Sequence, residues 1–431
     1  MSDVDKISKE LSEISITHSS ELIEAAEESN QMAEFADRLS ESADRALVIK
    51  EMLQNVNPTA VTVSFGSAID KQLNRIGVMD VINKTSADVL GAEALGRTLM
   101  PSAYLQSRIA GCESFIGDAL SKAKKMLIAA SEGIRDRYIL IKESNRSLAK
   151  RILLVEEKLS KAPGPLVHGQ FKIKLDRNPR LFLVDGVVKE QWGAQLERVD
   201  KSISALMSNY YKNNRSSINE LLSYFGGFSH LEEDRAIERL LSMPSMISHY
   251  TFKECLYPNR ELSKDGVKVM QSVELMGGRR FLNAVYEKKP KQFESLEELS
   301  RYFTQILENE YVKFVATEKA ELNKDIEISS LSTLEIKVIL KLCSGILDKT
   351  ESLFSEGDQY SVEGKDYLEM INVISDNDWD DKLKSTVVRY FEQLALKYNK
   401  EMLNNRVSVV EYLTLLINGL LNIAERSIDG E

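Results

Sequence analysis

At 431 residues and 48.7 kDa, with 43% hydrophobic and 28% charged side chains, the chain has apolar content for two or three domains with their own cores, which excludes disorder as its default. A net charge of −10 and a pI near 5.3 argue against a surface that binds nucleic acid all over, and three widely spaced cysteines without a CxxC pair (Cys112, Cys255, Cys343) support neither a disulfide framework nor a zinc site. The opening MSDVDKISKELSEIS lacks the apolar core of a signal peptide, and the best apolar run, Tyr412 to Ala424, is short for a bilayer and broken by Asn418, Gly419 and Asn422, so the expectation is a chain neither exported by that route nor membrane-spanning.

Residues 1–56 form an acidic helical arm, with five basic against thirteen acidic residues and a net charge of −8. Apolar residues recur through it at helical spacing, as Ile7, Leu11, Ile14 and then Met32, Phe35, Leu39, Ala43, Leu47, with Asn30 as the cap of the second stretch. One reading is a solvated helical hairpin packed on a neighbour. The other is a targeting or removable segment that pairs with a basic surface, the long helix further on included. Residues 57–112 read as short helices and connectors: Asn57-Pro58 stops the first helix, Val61, Val63 and Phe65 suggest a short extended piece, Ala68 to Ile82 returns to helical spacing, and Pro101 marks a boundary.

Residues 113–161 carry the clearest signal. Apolar side chains alternate at steps of three and four from Ile116 through Leu127, Ile134, Ile141, Leu148 and Ile152 to Leu159, predicting one amphipathic helix on the order of 70 Å long. Its polar face is basic: between Ser121 and Lys161 eleven Lys and Arg face five Asp and Glu. Asn145 falls in an apolar seam position, where one buried amide sets register in a coiled coil at some cost in stability.

Ala162-Pro163-Gly164-Pro165 then ends the helix, and the period changes. Residues 163–290 read as an α+β domain with a small antiparallel sheet. Leu181 to Val184, Asp185-Gly186 and Val187-Val188 make a strand, a two-residue turn and a strand; Leu196 to Tyr210 is helical; Val267 to Tyr286 is extended again. No proline lies beyond Pro290, and residues 291–431 read as a C-terminal helical domain with segments at 295–323, 332–356, 363–375, 378–399 and 408–426. The expected fold class is mainly α, a long amphipathic helix plus a helical bundle, with the small α+β domain in the middle.

Chemistry has no local signature. No GxGxxG, phosphate loop, HExxH or GxSxG occurs, and His18, His168, His230 and His249 are scattered, so no catalytic residue, cofactor or metal is expected and the chain reads as a non-enzyme. Asp376 to Asp381 imitates the opening of a calcium loop but offers Asp381 and Val387 where glycine and glutamate are required. Gly277-Gly278-Arg279-Arg280 reads either as a tight turn or as a phosphate cradle. On the long helix, Lys124, Lys125, Arg135, Lys150 and Arg151 are the candidate contacts to phosphates or to an acidic partner.

The order of these pieces resembles the internal head and virion structural proteins of large tailed bacteriophages, the phiKZ-like group. The resemblance is carried by the acidic helical start, Ala110-Gly111-Cys112-Glu113-Ser114-Phe115 opening the Lys-rich helix, Leu181 to Val188, Ser272 to Arg280, and the helices from Tyr398 to Arg426. It implies a structural protein packaged inside the capsid or built into the particle, assembled in the host cytoplasm, with capsid or other virion proteins and nonspecifically held DNA as partners; the apolar runs predict no membrane partner, and the seam of the long helix suits self-association. It also implies trimming after a small residue, any residue and glutamate, which places processing at Glu10, Glu21 and Glu27 within Ser8-Lys9-Glu10, Ser19-Ser20-Glu21 and Ala25-Ala26-Glu27. The alternative is an intracellular coiled-coil adaptor or scaffold that is not part of a particle.

Overall fold

The structure, a computed structural model, describes residues 3–82, 101–175, 179–211, 216, 220, 223–224, 226–228, 230–242, 252–288, 293–317, 326–355 and 381–430. The fold class is mainly α with small antiparallel sheets, as the periodicity predicts. Two compact units divide the chain, one of residues 28–132 and one of residues 1–27 with 133–431. Two long helices, α1 (Asp3–Gln54) and α3 (Pro101–Ser160), contribute residues to both units.

In the unit of residues 28–132, α1 is unbroken through Asn30, so the expected cap at that position does not form. Nothing in the stretch blocks propagation, since neither Pro nor Gly occurs before Asn57-Pro58, where Asn57 caps a 3-10 turn. The extended piece expected at Val61 to Phe65 is instead the start of α2 (Val63–Arg75), because the Thr62 hydroxyl accepts from the Phe65 N–H and seeds the helix. Pro101 opens α3, where its missing N–H would be unbonded in any case. Ala46, Ile49, Leu53, Ile69, Leu73, Leu105 and Cys112 make this unit's core. Beside it Arg108 grips Asp70 with two bonds of 2.9 and 3.1 Å, and the Tyr104 hydroxyl donates to Asp70 at 2.9 Å.

In the other unit, α3 ends at Ser160 before the proline pair, and the chain forms β1 (Lys172–Lys174). The predicted hairpin is present: β2 (Leu183–Val184) pairs antiparallel with β3 (Val187–Val188), and Asp185 and Gly186 both take positive φ, as a primed two-residue turn requires. Helix α4 (Trp192–Ala205) follows, running into a π-helical turn at Leu206–Tyr211, and α5 covers Glu233–Leu241. Strands β4 (Tyr257–Pro258), β5 (Val267–Gln271), β6 (Arg279–Tyr286) and, beyond α6 (Leu296–Asn309), β7 (Tyr311–Ala316) form an antiparallel sheet in that order. Strand β8 (Glu327–Ser329) pairs with β1 and leads into α7 (Thr333–Ser355); α8 spans Asp381–Asp429.

Two helical expectations change here. The helix expected to run to Asn323 stops at Asn309, and Tyr311 to Ala316, rich in β-branched and aromatic residues with Val312 and Phe314 on one face, completes the sheet instead. The two C-terminal helices expected at 378–399 and 408–426 are one, since no Pro or Gly interrupts the chain between Asp381 and Asn418. The helix expected at 363–375 and the acidic run Asp376 to Asp380 lie outside the described residues.

The core joins the C-terminal half of α3 to α4, α7 and α8, with one face of the sheet. Phe281 and Phe314 pack with tilted rings, centroids 4.7 Å apart, and Tyr412 of α8 meets Phe314 edge-on at 5.3 Å. Strand β7 is a sheet edge, and Asn405 of α8 closes it: its amide accepts from the Phe314 N–H at 3.0 Å and donates to the Val312 carbonyl at 2.7 Å.

Candidate functional site

Nucleophile and metal chemistry find little to work with. The three cysteines are buried, and burial pushes their thiols up, to about 11 for Cys112 and about 12 for Cys255 and Cys343, which keeps them protonated and inert at neutral pH. Among the described residues no group of three or more His, Cys, Asp and Glu side chains is placed to hold a metal ion. His168 sits 3.1 Å from Glu335 and 3.8 Å from Glu190, and His18 3.7 Å from Glu143, each, among the described residues, beside carboxylates alone.

The double glycine is a turn with its donors spent. Gly277 and Gly278 both have positive φ, and both N–H groups donate to the Leu183 carbonyl, at 2.9 and 3.2 Å. Arg280 donates to Gln271 and Glu274, and Arg279 lies over the Phe314 ring. With both glycine amides on Leu183 and the Arg280 terminal nitrogens on Gln271 and Glu274, the cradle reading loses the backbone donors it rests on.

The candidate contacts of the long helix separate. Lys125 and Lys150 are exposed on α3, and Arg146 is exposed one turn before Lys150. The side chains of Lys124 and Arg135 lie outside the described residues. Arg151 is the correction: it is 1% exposed and turned into the unit rather than toward a phosphate. All five of its N–H donors are used. Its Nε donates to the Ser8 hydroxyl at 2.9 Å, one terminal nitrogen to the Asn418 side chain at 2.8 Å and backbone carbonyl at 3.4 Å, and the other to Asn422 and, at 2.8 Å, to Glu425. The helical period places position 151 on the apolar face beside Leu148, Ile152 and Val155; counting its charge with the basic face is what misled the sequence reading.

Around Arg151 runs a polar seam of three helices. The first turns of α1 bring Ser8 and Ser15, both buried, against α3 and α8; Ser8 also donates to Glu425, Asn418 donates to the Ser15 hydroxyl at 2.8 Å, and the Ser144 hydroxyl donates to the Ser15 carbonyl at 3.1 Å. Among the described residues the arm meets the long helix through Ser8 and Ser15, through His18 beside Glu143, and through Lys50, which pairs with Glu113 at 3.0 Å. Glu10, Glu21 and Glu27 are exposed on α1, all within continuous helix. The sequence signal for this seam was the seven-residue spacing of Ser8 and Ser15 with Asn418, Asn422 and Glu425 at three-to-four spacing on α8; only the fold shows that the two rows meet.

Asn405–Asp429 within α8 is long and apolar enough to cross a membrane, its most apolar 18-residue window having mean hydropathy 1.6, yet 72% of that window is buried inside the protein, the condition of a core helix. A family model described as phiKZ-like phage internal head proteins matches residues 24–426, nearly the whole chain. The chain belongs to the phiKZ-like phage internal head proteins. No curated protein and no solved structure matches it. As a member of this family it is a bacteriophage structural protein of the head interior, associated with virion components. The segment that carries Ser8 and Ser15 precedes the matched residues.

Proposed function

We propose that the protein is a non-enzymatic element of the phage head interior that contacts neighbouring virion proteins through its helical faces, touches packaged DNA without sequence preference, and has its N-terminal arm trimmed during maturation. The family match over residues 24–426 carries the reading. For DNA, the support is local charge. The chain as a whole is acidic, but Arg146 and Lys150 stand exposed one turn apart on α3, with Lys125 exposed further along it, and at a Debye length of about 8 Å neighbouring cations act on a phosphate independently of distant carboxylates. Lys124 and Arg135, on the same helix, extend the candidate set, and α3 is also the proposed element of self-association.

Trimming after Glu10, Glu21 or Glu27 has exposed glutamates in its favour. A protease reads an extended segment, so α1 must unwind locally, and Ser8 must also leave Arg151 and Glu425 before the site at Glu10 is readable. Ser15 and His18 tether the stretch before Glu21 in the same way, so cleavage at Glu27 is expected to precede cleavage at Glu21 and Glu10. Mass spectrometry of purified particles from infected cells tests the whole reading: the chain is expected in the particle with an N-terminus after one of these glutamates. Presence at full length removes the processing sites, and absence from particles with abundance in the cell returns the intracellular scaffold.

A further inference from the structure

The interface between the arm and the rest of its unit differs in kind from the core beside it. Where α7 and α8 pack through Ile, Leu and Val, residues 3–27 of α1 are held by Ser8 and Ser15, while Ile7, Ile14 and Ile16 of the same segment are 47%, 43% and 38% exposed. Ile23 is the arm's member of the large apolar cluster, and it is only partly buried. Among the described side chains, lifting the arm thus uncovers little apolar surface, and the hydrogen bonds it breaks are replaced by bonds to water, which leaves their net cost small.

The buried charge of the groove keeps its partners without the arm, while the polar groups that Ser144, Asn418 and Glu425 turn toward Ser8 and Ser15 pass to water. Of Arg151's five hydrogen bonds, four go to Asn418, Asn422 and Glu425 of α8, and only the bond to Ser8 is lost. Docking also has a standing cost, since the buried Nδ1 of His18 finds no hydrogen-bond partner among the described residues.

We propose that residues 3–27 form a releasable clasp, a helix that leaves and re-enters a polar groove between α3 and α8 without unfolding of the core beneath. The occupant of the groove is this chain's own arm, and a polar seam is what such reversibility requires: an apolar one would expose an aggregating surface on every opening. The clasp is a property of the isolated protein and stands whether or not trimming occurs, although it makes the glutamates of the arm accessible in the open state.

Thiol labelling of the full-length Ser15→Cys variant under native conditions tests it, with Cys343 as an internal standard, since Ser15 and Cys343 are both 0% exposed. The introduced thiol is expected to label at least about 100-fold faster than Cys343, the difference between sub-global opening and global unfolding. Equal rates at the two positions, slow or fast, overturn the clasp. Hydrogen exchange on the unmodified chain guards against an effect of the substitution: amides of residues 3–24 must exchange faster than those of 409–424 by a comparable factor, and a single protected block overturns the proposal.

Discussion

Asn405 and Gly419 do at single positions what no neighbouring residue can. Asn405 supplies both a donor and an acceptor to the open edge of β7, so Asn405→Ala leaves the buried Phe314 N–H and Val312 carbonyl without partners. An unpartnered buried group costs about 1–3 kcal/mol, and the variant is expected to lose about 2–4 kcal/mol in urea unfolding, with a greater tendency to associate through the bared edge. Gly419 lies where a Cβ would come within 2.7 Å of the Phe182 ring. Gly419→Ala would gain helix propensity in isolation, but here it is expected to destabilise by about 1–3 kcal/mol, because the ring is packed edge-on against Trp192 at 5.7 Å and cannot swing away freely. A thermal melt against the wild-type chain reads the sign. Arg151→Met removes the partner of the mostly buried Glu425 carboxylate and is expected to cost about 3–5 kcal/mol in the same assay.

Helix starts are written into the sequence and then used by the fold. Ser332-Thr333-Leu334-Glu335 is a capping box: the Glu335 N–H donates to the Ser332 hydroxyl at 3.3 Å, and the Ser332 N–H donates to the Glu335 carboxylate at 2.8 Å. Burial works to raise the Glu335 carboxyl, but the Ser332 donors and His168 outweigh it and hold it below the ordinary 4.5. A depressed carboxyl contributes stability above the unfolded value that is lost as pH falls through the folded one. The gap in melting temperature between wild type and Glu335→Ala is therefore expected to be full above pH 4.5 and to close below it. Ser295 opens α6 in a related way, accepting from the Glu298 N–H at 3.2 Å, while Glu298 accepts from the Glu294 N–H at 2.9 Å.

At the scale of the molecule, the exposed cations of α3 sit on an acidic chain, which makes the proposed DNA contact weak, local and salt-sensitive. Lys125→Glu with Lys150→Glu is expected to lower affinity for duplex DNA of any sequence and to flatten the dependence of log Kd on log salt by about 1–2, the counterions of the two contacts removed. Unchanged binding in a salt titration would assign any DNA contact elsewhere. Because both lysines are exposed, the double variant should keep the wild-type melting temperature to within about 1 kcal/mol of stability.

What the sequence by itself determined is local. The long helix, the Asp185-Gly186 hairpin, the stop at Pro163 and the helix from Ser332 follow from periodicity, positive-φ turn residues, missing N–H groups and capping side chains, all of which act within a few residues. The short motifs from Ala110 to Arg280 likewise pointed to the family that the comparison then matched. What only the tertiary structure decided depends on partners distant in the chain. Tyr311 to Ala316 became a strand because β6 offered it a ladder, and the glycine pair spent its amides on Leu183. Arg151 is the sharpest case. A guanidinium is read from sequence as surface charge, since burying it is costly unless every donor is met; Ser8, Asn418, Asn422 and Glu425, from opposite ends of the chain, meet all five.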